Sequence, residues 1–201
     1  TGNKFYSHHG LGSVGKNFSS AEIITQLKGF GAIGHNRYST TGNAELRNIQ
    51  PLFADLSFGG LTIAHNGNLT NAIGLRTELV RRGSIFRSTS DTEVIIHLMA
   101  LSEGNSVTDR LVDSLRQITG AYSLVAMTQK ALVGVRDPHG VRPLVLGSLD
   151  DAFILASETV ALDIIGAKMI RDVEPGEMVL IQDNKLVSIK PFTSTSERFC
   201  I

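Results

Sequence analysis

An α+β layered domain is predicted by three observations. The first half alternates short apolar runs, each ending at a polar motif, with segments of helical period. The second half is rich in strand-like runs joined by tight turns. With 201 residues, 42% of them hydrophobic, the chain can bury one sizeable core.

The elements follow in order. Ser19-Ser20-Ala21-Glu22 fits a capping box, opening a short helix that reaches Lys28. Gly31–Arg37 and Leu61–His65 read as buried strands. A second helix runs from about Asn71 to Arg82 and stops at Gly83. A third opens at Ser90, with Glu93 at capping-box spacing, and runs to Leu101. A fourth covers Val107 to Ile118, because Val107, Leu111, Leu115 and Ile118 share one face. Strands follow at 121–127, 131–135, 153–156, 178–182 and 186–190. The last two form a hairpin through Asp183-Asn184, and Asp137-Pro138-His139-Gly140 is a turn. Such a set of helices and hairpin-joined strands packs as layers. No repeat, low-complexity tract or linker interrupts it.

Composition excludes several classes. Lys plus Arg and Asp plus Glu each number 19, so nothing supports bulk binding to nucleic acid or to an anionic membrane. No apolar run approaches the roughly 20 residues that span a bilayer, and no signal peptide is visible. The lone cysteine, Cys200, allows no intrachain disulfide and suits a reducing cytoplasm. The chain opens on turn chemistry, Thr1-Gly2-Asn3-Lys4, and closes on Arg198-Phe199-Cys200-Ile201 without a polar tail, so an internal piece of a longer protein is expected.

Three segments carry candidate chemistry. Arg37, just past the first buried strand, offers a planar fork that matches a carboxylate and stays charged; alone, it reads better as a salt bridge at a sheet edge. Asn66-Gly67 offers a side-chain amide and a backbone N–H at a strand end, two donors for a developing oxyanion; alone, it reads as a common Asn-Gly turn. Asp91, in the first turn of a helix, is favoured as an anion and can accept from an ammonium group; alone, it reads as a helix-start residue. Together they supply a fixed cation, two neutral donors and a fixed anion. A pocket needs those three to grip a free amino acid and stabilise attack on its side-chain amide. The histidines add little. His8 and His9 are adjacent and point apart on a strand, Glu93 and His97 have no further ligand nearby, and His35 and His65 read as satisfied interior groups. There is no Gly-x-Ser-x-Gly elbow and no Gly-x-x-x-x-Gly-Lys-Ser/Thr loop.

The order and spacing of the motifs resemble one family from end to end. They are His35-Asn36-Arg37-Tyr38-Ser39-Thr40, Ile63–Asn68, Ser90-Asp91-Thr92-Glu93, Gly120-Ala121-Tyr122, Arg136 through Leu144, Ala156-Ser157-Glu158 and Glu174-Pro175-Gly176-Glu177. The chain resembles the glutamine amidotransferase domain of amidophosphoribosyltransferases, a class II, N-terminal-nucleophile hydrolase family. Tyr38 and the Asp-Pro-x-Gly-x-Arg-Pro segment favour it over glucosamine-6-phosphate synthase.

The resemblance implies a four-layer α-β-β-α sandwich, here incomplete at the N-terminus, with residues 1–201 forming part of the glutaminase domain. It implies hydrolysis of glutamine to supply ammonia, which a second, phosphoribosyltransferase domain absent from this chain uses to make 5-phosphoribosylamine from phosphoribosyl pyrophosphate, the first step of purine synthesis. Carried over by position, Arg37 holds the substrate carboxylate, Asp91 its ammonium, Asn66 and Gly67 form the oxyanion hole, and Thr40 lines the pocket. The full-length protein would be a cytoplasmic homo-oligomer, with Mg2+ in the transferase domain. Cys200 resembles a ligand of the iron–sulfur cluster found in some members, although such clusters take four thiolates. The family's nucleophile is an N-terminal cysteine whose own amine acts as base. None opens this chain, and Thr1 aligns with an internal turn, so the 201 residues alone are expected to be inactive. Two further readings stand beside this one: a non-catalytic amino-acid-binding module of the same fold, and a hydrolase using Thr1.

Overall fold

A computed structural model describes residues 4–37 and 45–192. Among them lie two antiparallel sheets. The larger has six strands in the order β1 (Leu52–Leu56), β2 (Gly59–Leu69), β3 (Gly120–Thr128), β4 (Ala131–Arg136), β8 (Met178–Gln182) and β9 (Lys185–Ile189). The smaller has three, in the order β6 (Ala152–Ala156), β5 (Val145–Leu149) and β7 (Lys168–Asp172). The helices are α1 (Val14–Asn17), α2 (Ala21–Gln26), α3 (Ala72–Arg81), α4 (Thr92–Leu101), α5 (Val107–Leu115) and α6 (Thr159–Ile165), with one 3-10 turn at Leu46–Asn48.

Side-chain alternation along the strands builds the layers. On β3, Tyr122, Leu124 and Ala126 join Leu61 and Ile63 of β2 in a core with Ile95, Met99 and Leu111 of α4 and α5. The opposite face carries Val125 of β3 and Val179 and Ile181 of β8. These meet Leu144 and Leu155 from the smaller sheet and its approach. Beyond that sheet, Leu162 of α6 packs on Val145 and Ile154. The order is therefore helices, six strands, three strands, helix: the four-layer α-β-β-α arrangement expected above.

Most predicted elements are present. α3 stops at Gly83, which adopts a left-handed φ of 93°. The β8–β9 hairpin turns on Asp183 and Asn184, with φ of 50° and 55°, the signs that a two-residue hairpin turn requires. The segment 31–37 is a correction. It has no ladder partner among the described residues and forms no strand, although Ile33 and His35 are half-buried in alternation while their neighbours are exposed. A strand exists only when a second segment pairs with it. Two capping expectations also change. Ser20, not Ser19, caps α2 by accepting from the Glu22 N–H at 3.2 Å. At α4, Ser90 accepts from Thr92 N–H, but Glu93 turns away to the Arg87–Ser88 backbone. Six elements escaped prediction: α1, the 3-10 turn, β1, β5, β7 and α6.

Candidate active site

β2 is the axis of the site. It enters the core at Leu61 and Ile63 and ends in His65-Asn66-Gly67-Asn68-Leu69. β1 pairs only with the first part, Gly59 to Ile63. β3 runs the whole length on the other side, from Leu61↔Thr128 to Leu69↔Gly120. The outer edge of β2 beyond Ile63 therefore has no strand partner among the described residues, and side chains take its place. The Gln50 amide covers the edge at His65, its Oε1 accepting the His65 N–H at 2.7 Å and its Nε2 facing the His65 carbonyl at 3.4 Å. Two pairs further on, Asp91 Oδ2 accepts the Leu69 N–H at 3.0 Å.

Gly67 sits between those two. N–H groups two residues apart in a strand point to the same side, so the Gly67 N–H is aimed at the outer edge, between the Gln50-covered and Asp91-covered groups. Its partner across the ladder, Tyr122, faces the other way: its N–H donates to Asp137 and its carbonyl accepts from the Asp137 N–H. Only glycine fits at 67. Its φ is 151°, and a Cβ there would lie 2.0 Å from the Ala121 carbonyl oxygen and 2.8 Å from His65 Nε2. Asn66 is half-buried and pairs with Ser123, on the strand face toward the smaller sheet. His65 is on the face toward α4.

His65 links strand to helix. Its buried ring places Nδ1 3.3 Å from Thr92 Oγ1 and 3.6 Å from Asp91 Oδ1, while Nε2 has no hydrogen-bond partner among the described residues. His35 Nδ1 is likewise unpartnered among them. The expectation that these two histidines are satisfied interior groups is therefore corrected. Burial lowers the His35 pKa, opposed by a hydrogen bond with the His65 backbone and reinforced by the nearby His65 and Arg37 charges.

Asp91 is the N-cap residue of α4, yet its side chain makes no capping bond. Burial pushes its pKa up, but the His65 ring and the Leu69 N–H outweigh burial and hold the carboxyl below its ordinary value. It is ionised at neutral pH and keeps part of its surface toward solvent, its side chain being 26% exposed.

Arg37 is exposed, and its guanidinium donates to the Asn48 carbonyl at 3.3 Å. The Asn48 side chain in turn clasps Thr89: Nδ2 donates to Thr89 Oγ1 at 2.8 Å, and Oδ1 accepts from the Thr89 N–H at 2.9 Å. Arg37, Gln50, His65, Gly67 and Asp91 thus belong to one connected patch built from four segments distant in sequence. Asn48 and Gln50 were missed by sequence reasoning. Their only mark was a pair of amides spaced around one apolar residue, ahead of Pro51.

Three residues of interest, Thr1, Thr40 and Cys200, lie outside the described residues. Among the described residues no group of three His, Cys, Asp or Glu could hold a metal, and no helix is long and apolar enough to cross a membrane. A surface hollow of about 450 Å3 lined by Arg82, Leu98, Ser102 and Arg116 lies at the other end of α4.

Comparison with known proteins identifies the family. A family model described as a glutamine amidotransferase domain matches residues 35–163. Amidophosphoribosyltransferase from Rhizobium etli is 50% identical over 205 residues, covering 100% of this chain and 41% of that protein. The Bacillus subtilis enzyme of the same name is 42% identical, covering 99% of this chain and 42% of that one. The chain therefore spans about two fifths of the length of these curated relatives. Among solved structures, one described as the allosteric regulatory enzyme of purine biosynthesis superposes with a TM-score of 0.92 at 41% identity, covering 96% of this chain and 42% of that one. A B. subtilis glutamine phosphoribosylpyrophosphate amidotransferase complexed with ADP and GMP superposes with a TM-score of 0.90, also at 41% identity. Likeness at that level carries the N-terminal-nucleophile hydrolase fold with it. The chain belongs to the glutamine amidotransferase domain family and corresponds to the glutaminase part of its amidophosphoribosyltransferase relatives.

Proposed function

We propose that this domain binds glutamine and cleaves its side-chain amide, so that the complete protein uses the ammonia to make 5-phosphoribosylamine from phosphoribosyl pyrophosphate. The observation that carries the reading is the row along the outer edge of β2, where the Gly67 N–H lies between Gln50 and the ionised Asp91. An amino acid docked there places its ammonium on the solvent-facing part of Asp91 and its carboxylate on the Arg37 guanidinium. Its side-chain carbonyl then meets the Gly67 N–H and the Asn66 amide. Both are neutral donors, and in this reading they favour the oxyanion of the tetrahedral intermediate over the starting carbonyl. The nucleophile is outside this patch. In the family it is an N-terminal cysteine, whose thiolate would attack the amide carbon while its amine carries the proton to departing ammonia. Thr40 completes the pocket wall in this reading. The cytoplasm is the compartment that suits a chain with one cysteine.

The test is Arg37→Ala in the full-length protein. Losing a charge-assisted contact of about 1.5–3 kcal/mol should raise the KM for glutamine roughly ten- to hundredfold. Synthesis driven by free ammonia should continue at the wild-type rate. Equal loss of both activities would remove Arg37 from the substrate site.

A further inference from the structure

We propose that the short loop Asn48-Ile49-Gln50 is the spacer that sets the distance between the two ends of the amino-acid site, and hence its preference for glutamine over the shorter asparagine. The inference rests on the function proposed above and adds the residues that hold its geometry.

The loop touches all three candidate segments. Asn48 lends its carbonyl to the Arg37 guanidinium and its side-chain amide to both polar groups of Thr89, two residues before Asp91. Gln50 clamps the backbone of His65, the residue before Asn66. Both amides are 8% exposed, so neither is a solvated surface group that happens to point inward. Removing the partner of a buried amide leaves a polar group without water or a hydrogen bond, a penalty large enough to fix a conformation. The Arg37 segment, 31–37, has no sheet partner of its own among the described residues, and the Asn48 carbonyl is a contact among them that ties the Arg37 guanidinium to the rest of the site.

The loop before α4 is braced from the other side as well. Glu93 accepts from the Arg87 and Ser88 N–H groups at 2.8 and 2.7 Å and from the Ser88 hydroxyl, and Ser88 Oγ accepts from the Ser90 N–H. Thr89 is thus an anchored post against which Asn48 can be located. With Arg37 tied to one side of Asn48 and the Asp91 loop to the other, the separation of guanidinium and carboxylate is fixed in advance. Gln50 fixes the oxyanion donors relative to both. Asparagine is one methylene shorter, so it can satisfy the two ends or the donors, but not all three. Asn48, Gln50 and Thr89 are positioning residues in this account: they act through Arg37, Gly67 and Asp91.

The experiment compares Asn48→Ala, Thr89→Ala, the double variant and Thr89→Ser in the full-length protein, with glutamine and asparagine as substrates. Asn48→Ala and Thr89→Ala should each raise the KM for glutamine about tenfold, change kcat less than threefold and shrink the glutamine-to-asparagine preference by a similar factor. Because they cut the same link, the double variant should be no worse than the more impaired single variant. Thr89→Ser keeps the hydroxyl and should behave as wild type. Thr89→Ala removes only an exposed side chain and keeps the Thr89 N–H bond, so it reports even if Asn48→Ala does not fold. An unchanged preference, or additive losses that also lower ammonia-driven synthesis, would overturn the spacer role. If the wild-type protein fails to cleave glutamine, or Arg37→Ala leaves its KM unchanged, the proposed function falls instead.

Discussion

Gly67→Ala is the sharpest single perturbation of the patch. The new methyl group would stand 2.0 Å from the Ala121 carbonyl oxygen and 2.8 Å from His65 Nε2. Neither atom can step aside freely. Ala121 is in the β2–β3 ladder, and the His65 ring is wedged against Thr92 and Asp91. A side chain at φ 151° also costs about 1–3 kcal/mol in backbone strain. Relieving the clash means opening at least one ladder hydrogen bond next to it, worth about 1 kcal/mol, and displacing buried packing. The sum is about 3–5 kcal/mol, a large share of the roughly 5–15 kcal/mol that holds a domain folded. For a chain of this size that lowers the Tm by roughly 6–20 °C. Thermal and urea denaturation followed by circular dichroism measure it. Gly74→Ala is the control: it lies inside α3, where an added methyl group would meet nothing within 4 Å, and it should stabilise by about 0.5–1 kcal/mol. A Gly67→Ala protein melting within about 2 °C of wild type would refute the claim that this backbone position is closed to side chains.

Two further outcomes follow from the electrostatics. Glu177 is buried, and although burial works to raise its pKa, bonds from Arg171, Ser188 and the Glu174 N–H bring it down from 4.5 to about 2. A depressed carboxyl pKa stabilises the fold above the unfolded value and is lost as pH falls through the folded one. Glu177→Gln should therefore cost about 2–3 kcal/mol at pH 7, allowing for an Arg171 partner that is partly in water, with the gap to wild type closing between pH 4.5 and 2; a gap constant across that window would contradict the assignment. Asp91→Asn keeps the shape and removes the charge, so the glutamine KM should rise at least tenfold. In the wild type, where the Asp91 pKa lies below its ordinary value of 3.8, that KM should stay flat from pH 7 to 4.5, and a rise already at pH 5.5 would show a different group gripping the ammonium.

Much of the fold was legible because its signals are local. α5 announced itself by one apolar face, and the structure adds a reciprocal cap between Ser106 and Asp109 that the sequence reading had not used. The β8–β9 hairpin was fixed by Asp183-Asn184 between two apolar runs. What stayed hidden depends on distant partners. β1 (Leu-Phe-Ala-Asp-Leu), β5 (Val-Leu-Gly-Ser-Leu) and β7 (Lys-Met-Ile-Arg-Asp) each carry only a two- or three-residue apolar run cut by a charged residue or a glycine, so no strand pattern stands out. α6 has only seven residues and exposes Val160, Ile164 and Ile165, which blurs its amphipathic pattern. The segment 31–37 shows the converse error: its composition fits a strand, but pairing decides. Within the site, the Arg37, Asn66, Gly67 and Asp91 positions were marked by residue type and motif. The links between them were not, because Asn48 reaches Thr89 across 41 positions and Gln50 reaches His65 across 15.

Among the described residues no strand pairs with the outer edge of β2 beyond Ile63, which explains why those links use amides and carboxylates at all. A strand edge with bare N–H groups is costly where water is excluded and prone to misassociation where it is not. A third strand beside residues 65–69 would cure both problems, but it would also consume the Gly67 N–H. Side chains solve the conflict because they can be placed at alternate positions. Gln50 takes the group at His65 and Asp91 the group at Leu69, and among the described residues the intervening donor is left uncovered. The same choice fixes what Asp91 can do. A carboxylate that merely capped α4 would turn its oxygens to its own helix. Here one oxygen reaches across to β2, and the ring of His65 lies by the other, so the anion is held beside the uncovered donor. A negative charge next to an oxyanion hole opposes the reaction unless a cation lies between them. On the proposed function an amino-acid ammonium is such a cation, and the pairing of this carboxylate with this glycine would then select a substrate that carries its own positive charge.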